Sequence, residues 1–167
     1  MAKNVIWATI FVLIAGLIQS TLLSRLTIYQ AMPDFTLGIL VYSSYVNGTM
    51  TGQITGFFSG LFMDFLSAAP LGLNTFIRTI IGALGGLLTG NFFLDAVILP
   101  MILCAAATIL KAFMLLALNL FFDGATPAYS LTGSLFWVEL LLNTFTAPLL
   151  FGLLRLFNPL LASGREK

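Results

Sequence analysis

Long apolar stretches separated by short polar breaks dominate the chain. Each stretch carries at most two charged residues, and the six lie at residues 5–23, 35–46, 53–66, 74–89, 96–122 and 135–157. About 20 mostly apolar residues suffice for a helix to cross roughly 30 Å of hydrocarbon. The pattern therefore predicts an all-α membrane protein of six transmembrane helices, with five or seven spans as alternatives. Because no linker or low-complexity tract interrupts it, we expect residues 1–167 to form a single domain.

Two of the predicted spans are short. The stretches 35–46 and 53–66 hold fewer residues than a simple membrane-crossing rod requires. We therefore expect these two helices to be tilted, interrupted or shielded by neighbouring helices.

The composition supports a membrane location. The 167 residues are 59% hydrophobic and 8% charged, whereas a soluble domain carries about 25% charged residues. Seven Lys and Arg residues balance six Asp and Glu residues, so no basic excess predicts nucleic-acid binding. The chain has no His and a single cysteine, Cys104, which we expect to be buried or to face lipid.

Enzyme motifs are missing from the sequence. It has neither a phosphate-binding Gly-x-x-x-x-Gly-Lys-Ser/Thr loop nor a His-Glu-x-x-His zinc motif. Asp34 and Asp64 do not form the two-Asp setting that an intramembrane aspartyl protease needs. We therefore predict a protein that is not an enzyme and that uses no cofactor or metal.

The charges near the two ends of the sequence predict its orientation. Lys3 followed by an apolar run resembles a signal peptide, but no small-x-small cleavage site follows, so we expect an uncleaved first helix. Lys3 flanks the first span, and Arg155, Arg165 and Lys167 flank the last. Positive residues favour the cytoplasmic side. Six spans then place both termini in the cytoplasm.

Two glycine ladders run through the third and fourth spans. One comprises Gly48, Gly52, Gly56 and Gly60, and the other comprises Gly82, Gly86 and Gly90. Residues four positions apart share one helix face, and small residues let membrane helices approach closely. The ladders pack this chain's own helices together, or they form a docking face for a separate membrane protein. The candidate partner-packing residues are Gly52, Gly56, Gly60, Gly82 and Gly86.

Five ionisable residues form a candidate intramembrane polar cluster: Asp34, Asp64, Arg78, Lys111 and Glu139. Burying such a group in a bilayer costs a few kcal/mol or more. With six spans, all five fall in the outer half of the membrane, and we predict the pairs Asp64–Arg78 and Lys111–Glu139. The pairs fix the helix arrangement, or they line a polar cavity that binds a ligand or a partner.

The middle of the chain resembles a known family. Residues 33–37 read Pro-Asp-Phe-Thr-Leu, 60–65 read Gly-Leu-Phe-Met-Asp-Phe, and 70–74 read Pro-Leu-Gly-Leu-Asn. This order resembles the rod shape-determining protein MreD family over about residues 30–90. The length and the number of predicted spans suit that family over the whole chain.

The resemblance implies a non-catalytic scaffold of the bacterial cell-elongation machinery. It implies direct binding to MreC, with MreB, RodA and a penicillin-binding transpeptidase within the same complex. It also implies a role in rod shape and lateral peptidoglycan synthesis at the cytoplasmic membrane. The family's fold is similar to that of the substrate-binding S components of energy-coupling factor transporters.

That similarity defines the alternative function, a vitamin-binding S component. Such a protein has six helices and an outward-facing cavity, which the polar cluster would suit. S components often carry an Ala-x-x-x-Ala patch in the first span. Here Ala8 is followed by Val12, and Ala15 by Gln19. The missing patch favours the MreD resemblance.

Overall fold

The computed structural model of the chain describes residues 2–21, 31–67, 69–90, 97–121 and 133–161, and the elements of this part are helices. The elements are α1 (Ala2–Thr21), α2 (Phe35–Asn47), α3 (Thr49–Leu66), α4 (Leu73–Leu87), α5 (Ile98–Phe121), α6 (Ser134–Leu156) and the short α7 (Asn158–Leu161). The six predicted stretches each coincide with one long helix. Predicted end positions 22, 23, 96 and 122 lie outside the described residues.

Three helices are long and apolar enough to cross a membrane by themselves: Lys3–Thr21, Ile98–Phe121 and Ser134–Leu156. Leu73–Leu87 is a shorter apolar helix. Many large apolar side chains on the outer surfaces are exposed, including Phe113, Leu149 and Leu156. The described part therefore has the character of an all-α membrane protein, and six crossings remain a prediction.

Helix α2 is the centre of the bundle. It packs against each of the other five long helices, and every residue from Thr36 to Tyr45 is buried. Asp34 caps its start by accepting a hydrogen bond from the Leu37 amide. Its end is set by Gly48, whose positive φ of 88° permits the sharp change of direction into α3. The expectation that residues 35–46 are shielded by neighbours is confirmed.

One end of the bundle holds the start of α1 and the short α7 together. Asn4 Nδ2 donates to Asn47 Oδ1 at 2.7 Å, and Asn47 Nδ2 donates to the Leu161 carbonyl at 2.6 Å. The Tyr42 hydroxyl donates to Asn158 Oδ1 at 2.5 Å. These bonds gather α1, α2 and α7 at the end of the bundle opposite Asp34.

Candidate functional site

An ion-paired cluster centred on Asp34 lies at the start of α2. Arg78 Nη2 on α4 lies 3.1 Å from Oδ1 and 3.0 Å from Oδ2 of Asp34. Lys111 Nζ on α5 lies 3.0 Å from the same Oδ2 and 2.6 Å from Glu139 Oε1 on α6. Two positive and two negative side chains thereby join four helices. The side chains of Asp34 and Arg78 are only 7% and 4% exposed.

Neutral polar groups complete the surroundings of Asp34. The Thr36 hydroxyl donates to Asp34 Oδ1 at 2.7 Å, and the Leu37 amide donates to it at 3.0 Å. The backbone N–H of Asp34 donates to Asn143 Oδ1 at 2.7 Å, while Asn143 Nδ2 donates to Thr108 Oγ1 at 3.0 Å. Both carboxylate oxygens of Asp34 are thus occupied, and α6 is bonded to the backbone of α2 as well as to Lys111.

The buried charges of this cluster are balanced, and Asp34 is well supplied with hydrogen bonds. Removing charges from water costs several kcal/mol per ion, which only good geometry and further hydrogen bonds offset. Asp34 has both, because two cations and two local donors converge on it. Nη1 of Arg78 is buried and has no hydrogen-bond partner among the described residues. The ion pairs of the cluster connect α2, α4, α5 and α6.

The two pairings predicted from the sequence have different outcomes. The Lys111–Glu139 pair is confirmed. The Asp64–Arg78 pair is wrong, because Arg78 binds Asp34. Arg78 lies more than one turn into α4, where its side chain reaches the central helix α2.

Asp64 instead caps the start of α4. Its carboxylate accepts from the amides of Gly72 at 2.9 Å, Asn74 at 2.8 Å and Thr75 at 3.1 Å, and from the Thr75 hydroxyl at 2.6 Å. The first amides of a helix lack partners within the helix and favour a negative charge. Asp64 therefore joins α3 to the turn before α4. Four of the five predicted cluster residues come together, and Asp64 has a separate role.

Beside the cluster the interior is closely packed. The void next to Asp34 and Asn143, which also touches Cys104 and Thr146, has a volume of only about 10 Å³. That is room for about one water molecule. Within the described ranges, no group of three or more His, Cys, Asp or Glu residues could hold a metal ion. The arrangement thus agrees better with charges that fix the helices than with a ligand cavity.

The glycine ladders of α3 and α4 face each other. A Cβ at Gly52 would meet the carbonyl oxygen of Gly82, and one at Gly56 would meet the carbonyl oxygen of Arg78. At Gly86 a Cβ would meet the backbone of Thr49.

Gly60 and Gly82 have the same kind of neighbours. A Cβ at Gly60 would meet the Asn74 and Thr75 backbone, and one at Gly82 the Gly52 carbonyl. The five glycines therefore pack this chain's own helices against each other. A docking role is not supported by these contacts, because the other helix already covers this face.

An apolar groove opens between α1 and α6, with α2 at its base. Its volume is about 430 Å³. Ile14 and Ala15 line the α1 wall, Leu149 and Leu153 line the α6 wall, and Ile39 of α2 lies between them. Leu149 is 77% exposed and Leu153 is 54% exposed. The groove is thus accessible from the side of the bundle.

Sequence reasoning missed three residues of the cluster: Thr36, Thr108 and Asn143. Isolated neutral polar residues are frequent in membrane helices and gave no signal individually. Glu139 and Asn143 are four residues apart, however, so they lie on one face of α6. That spacing was the available indication that α6 turns a polar face inward.

Comparison with known proteins identifies a family. The model of a family described as rod shape-determining protein MreD matches residues 1–157 of the 167-residue chain. No curated protein and no solved structure matches the chain. The family match covers all six long helices.

Proposed function

Since the chain belongs to the rod shape-determining protein MreD family, we propose that it is a non-catalytic membrane scaffold that binds MreC. Membership implies a role in rod shape determination. In this proposal the chain crosses the bacterial cytoplasmic membrane six times, with both termini in the cytoplasm. By binding MreC it supports lateral peptidoglycan synthesis within the complex that includes MreB, RodA and a penicillin-binding transpeptidase.

The observation that carries a scaffold role is the saturation of Asp34. Both oxygens of this carboxylate are bonded to cations and to local donors. A substrate-binding or catalytic carboxylate would need an oxygen free for its ligand. The bonds of Asp34 instead connect α2 to α4 and α5, and through Lys111 to Glu139 on α6. Such a tied bundle can present a fixed surface to a partner.

We place the transmembrane helix of MreC in the apolar groove between α1 and α6. Grooves of this kind receive the apolar side chains of a helix. The small side chain of Ala15 on the α1 wall allows a helix to approach closely. The glycine faces of α3 and α4 cover each other, so they offer no comparable opening. Helix packing between groove and partner supplies the binding energy in this proposal.

Co-purification tests the proposal. The tagged chain and MreC are expressed together, solubilised in mild detergent and purified on the tag, and native mass spectrometry is used to examine the product. We expect a complex of the two proteins without a bound small molecule. Recovery of the chain without MreC, carrying a stoichiometric vitamin, would instead establish the S-component alternative.

A further inference from the structure

A proline interrupts the backbone hydrogen bonding of α6. Pro148 lies inside the helix and has no N–H, so the carbonyl of Thr144 lacks the partner that it would have four residues later. The Thr144 hydroxyl donates to the Leu140 carbonyl at 2.7 Å, and the Thr146 hydroxyl donates to the Leu142 carbonyl at 2.6 Å. Hydroxyl groups bonded in this way bend helices. Helix α6 is therefore weakened against bending in the turn before Pro148.

The two halves of α6 are held to the bundle by different interactions. In the first half, Glu139 pairs with Lys111 at 2.6 Å, and Asn143 accepts from the Asp34 amide at 2.7 Å. In the second half, residues 149–154 have no side chain that can form a hydrogen bond. Apolar contacts hold this half, and such contacts have no preferred direction. The first half is thus fixed, and the second half is held less specifically.

The second half of α6 forms one side of the apolar groove. This wall segment, residues 149–156, lines the groove with Leu150 and Leu153. Pro148 lies on the opposite face of the helix, because Leu150 is two residues and so about 200° further around it. Bending at Pro148 therefore moves the wall segment toward α1 or away from it. A Cβ at Gly152 would meet no atom of the described residues within 4 Å, so this glycine lowers helix propensity without a packing requirement.

The far end of the wall segment is latched to α2. Helix α6 ends at its cap Phe157, and Asn158 begins α7. The Tyr42 hydroxyl donates to Asn158 Oδ1 at 2.5 Å. At the other end of α7, the Asn47 side chain donates to the Leu161 carbonyl at 2.6 Å. Without the Tyr42 bond, α7 stays attached at Leu161 while the wall segment is released at Phe157.

The groove is closed at this latched end. The rings of Phe11 on α1 and Phe157 line it, and their centroids lie 5.1 Å apart. Movement of the wall segment away from α1 separates these two rings and widens the groove. The weakened turn at Pro148 and the bond of Tyr42 thus lie at the two ends of the same wall.

We infer that the wall segment is a gate of the groove, which turns at Pro148 and is held closed by the bond between Tyr42 and Asn158. Breaking that bond lets the wall segment move away from α1. The segment is about 12 Å long, so a change of about 20° in the bend moves its end by about 4 Å. The gate does not depend on what enters the groove, and its use in admitting the transmembrane helix of MreC rests on the proposed function.

Electron paramagnetic resonance distances test the gate. In a Cys104→Ala background, one pair of spin-labelled cysteines replaces Ile6 on α1 and Leu156 at the end of the wall segment. A control pair replaces Ile6 and Leu141, which precedes the hinge. Ile6, Leu156 and Leu141 are 56%, 75% and 54% exposed, and they do not line the groove. The full-length chain is measured in lipid nanodiscs.

Two substitutions act on the two ends of the wall. Tyr42→Phe removes the latch and keeps the aromatic ring. We expect it to widen the Ile6–Leu156 distance distribution by about 4 Å. Adding Pro148→Ala should narrow the distribution again, because alanine supplies the missing N–H and removes the ring. The Ile6–Leu141 distribution should stay the same in every variant, which also shows that the variants are folded.

Three results would overturn the gate. An Ile6–Leu156 distribution that Tyr42→Phe leaves unchanged would rule out the latch. Widening that Pro148→Ala does not reverse would rule out the hinge. Equal widening of the Ile6–Leu141 distribution would show that the whole bundle loosens.

Addition of MreC separates the gate from the proposed function. Bound in the groove of the Tyr42→Phe chain, MreC should select the longer Ile6–Leu156 distances. If the responses to Tyr42→Phe and Pro148→Ala are as expected but MreC leaves the distribution unchanged, the gate stands and the placement of MreC in the groove fails.

Discussion

Lys111 Nζ on α5 lies 3.0 Å from Asp34 Oδ2 at the start of α2, although 77 residues separate them in the chain. The same oxygen receives Arg78 at 3.0 Å. One carboxylate therefore holds two cations from two other helices. This makes Asp34 the residue on which the arrangement of the bundle depends most.

Replacing Asp34 by Asn should be severely destabilising. The change keeps the size of the side chain but removes the carboxylate that pairs with Arg78 in the described part of the chain, and removing one partner of a buried pair costs about 3–5 kcal/mol. Glu139→Gln should cost much less, because Lys111 keeps its pair with Asp34. Unfolding of both variants in mixed micelles gives the two free energies. Equal losses of unfolding free energy in the two variants would show that Asp34 stabilises the bundle no more than Glu139 does.

A methyl group added between α3 and α4 should separate these helices. In Gly56→Ala the new Cβ meets the Arg78 carbonyl oxygen, and overpacking of this kind costs about 1–3 kcal/mol. Gly152 on α6 is the matched control, because a Cβ there meets no atom of the described residues within 4 Å. Gly152→Ala should be neutral, or stabilising by up to about 1 kcal/mol through helix propensity. The measurement is thermal unfolding in detergent. Equal unfolding temperatures for Gly56→Ala and Gly152→Ala would contradict the close packing of α3 against α4.

Asp64→Ala should loosen the start of α4 specifically. The variant loses the acceptor for three backbone amides and the Thr75 hydroxyl, and loss of a capping side chain costs about 0.5–2 kcal/mol. Hydrogen exchange at Gly72, Asn74 and Thr75 should become faster. Ser67→Ala is the control, since the two hydrogen bonds that its hydroxyl accepts among the described residues are long, at 3.4 Å. Unchanged exchange in Asp64→Ala would refute the capping role.

The proposed six crossings would place both termini on the same side of the membrane, and the flanking positive charges predict that this side is cytoplasmic. The start of α1 and α7 already meet at one end of the bundle through Asn47. Reporters that are active only in the cytoplasm, fused separately to the N-terminus and the C-terminus, should therefore both be active. Activity of only one of the two fusions would require an odd number of crossings.

The helices were predictable because hydropathy acts over many residues. The six stretches are visible in the sequence, and the shortness of 35–46 indicates a shielded helix, which the burial of α2 from Thr36 to Tyr45 confirms. The glycine ladders were also visible as repeats. The sequence does not show that the two ladders face each other. A four-residue spacing places the glycines on one face of a helix, but it does not identify which helix covers that face.

Individual ion pairs were less predictable. Asp64 and Arg78 are close in sequence and of opposite charge, yet Asp64 binds backbone amides and Arg78 reaches Asp34. A carboxylate at the end of one helix can satisfy the first amides of the next, and sequence distance does not distinguish that from an ion pair. Thr108 and Asn143 were missed because neutral polar residues carry no charge that demands a partner.

Two leucines of α6 provide the most direct test of MreC binding in the groove. Leu153 lines the groove and Leu141 does not, while both are 54% exposed on the same helix. Leu153→Trp fills the groove, and Leu141→Trp makes the same change on another part of the surface.

The measurement is co-purification of MreC with each tryptophan variant, at equal amounts of folded protein in the membrane. We expect Leu153→Trp to recover at least about tenfold less MreC, equivalent to about 1.4 kcal/mol, and Leu141→Trp to recover as much as the unmodified chain. Equal recovery by the two variants would contradict the placement of MreC in the groove, and failure of the unmodified chain to recover MreC would contradict the scaffold proposal itself.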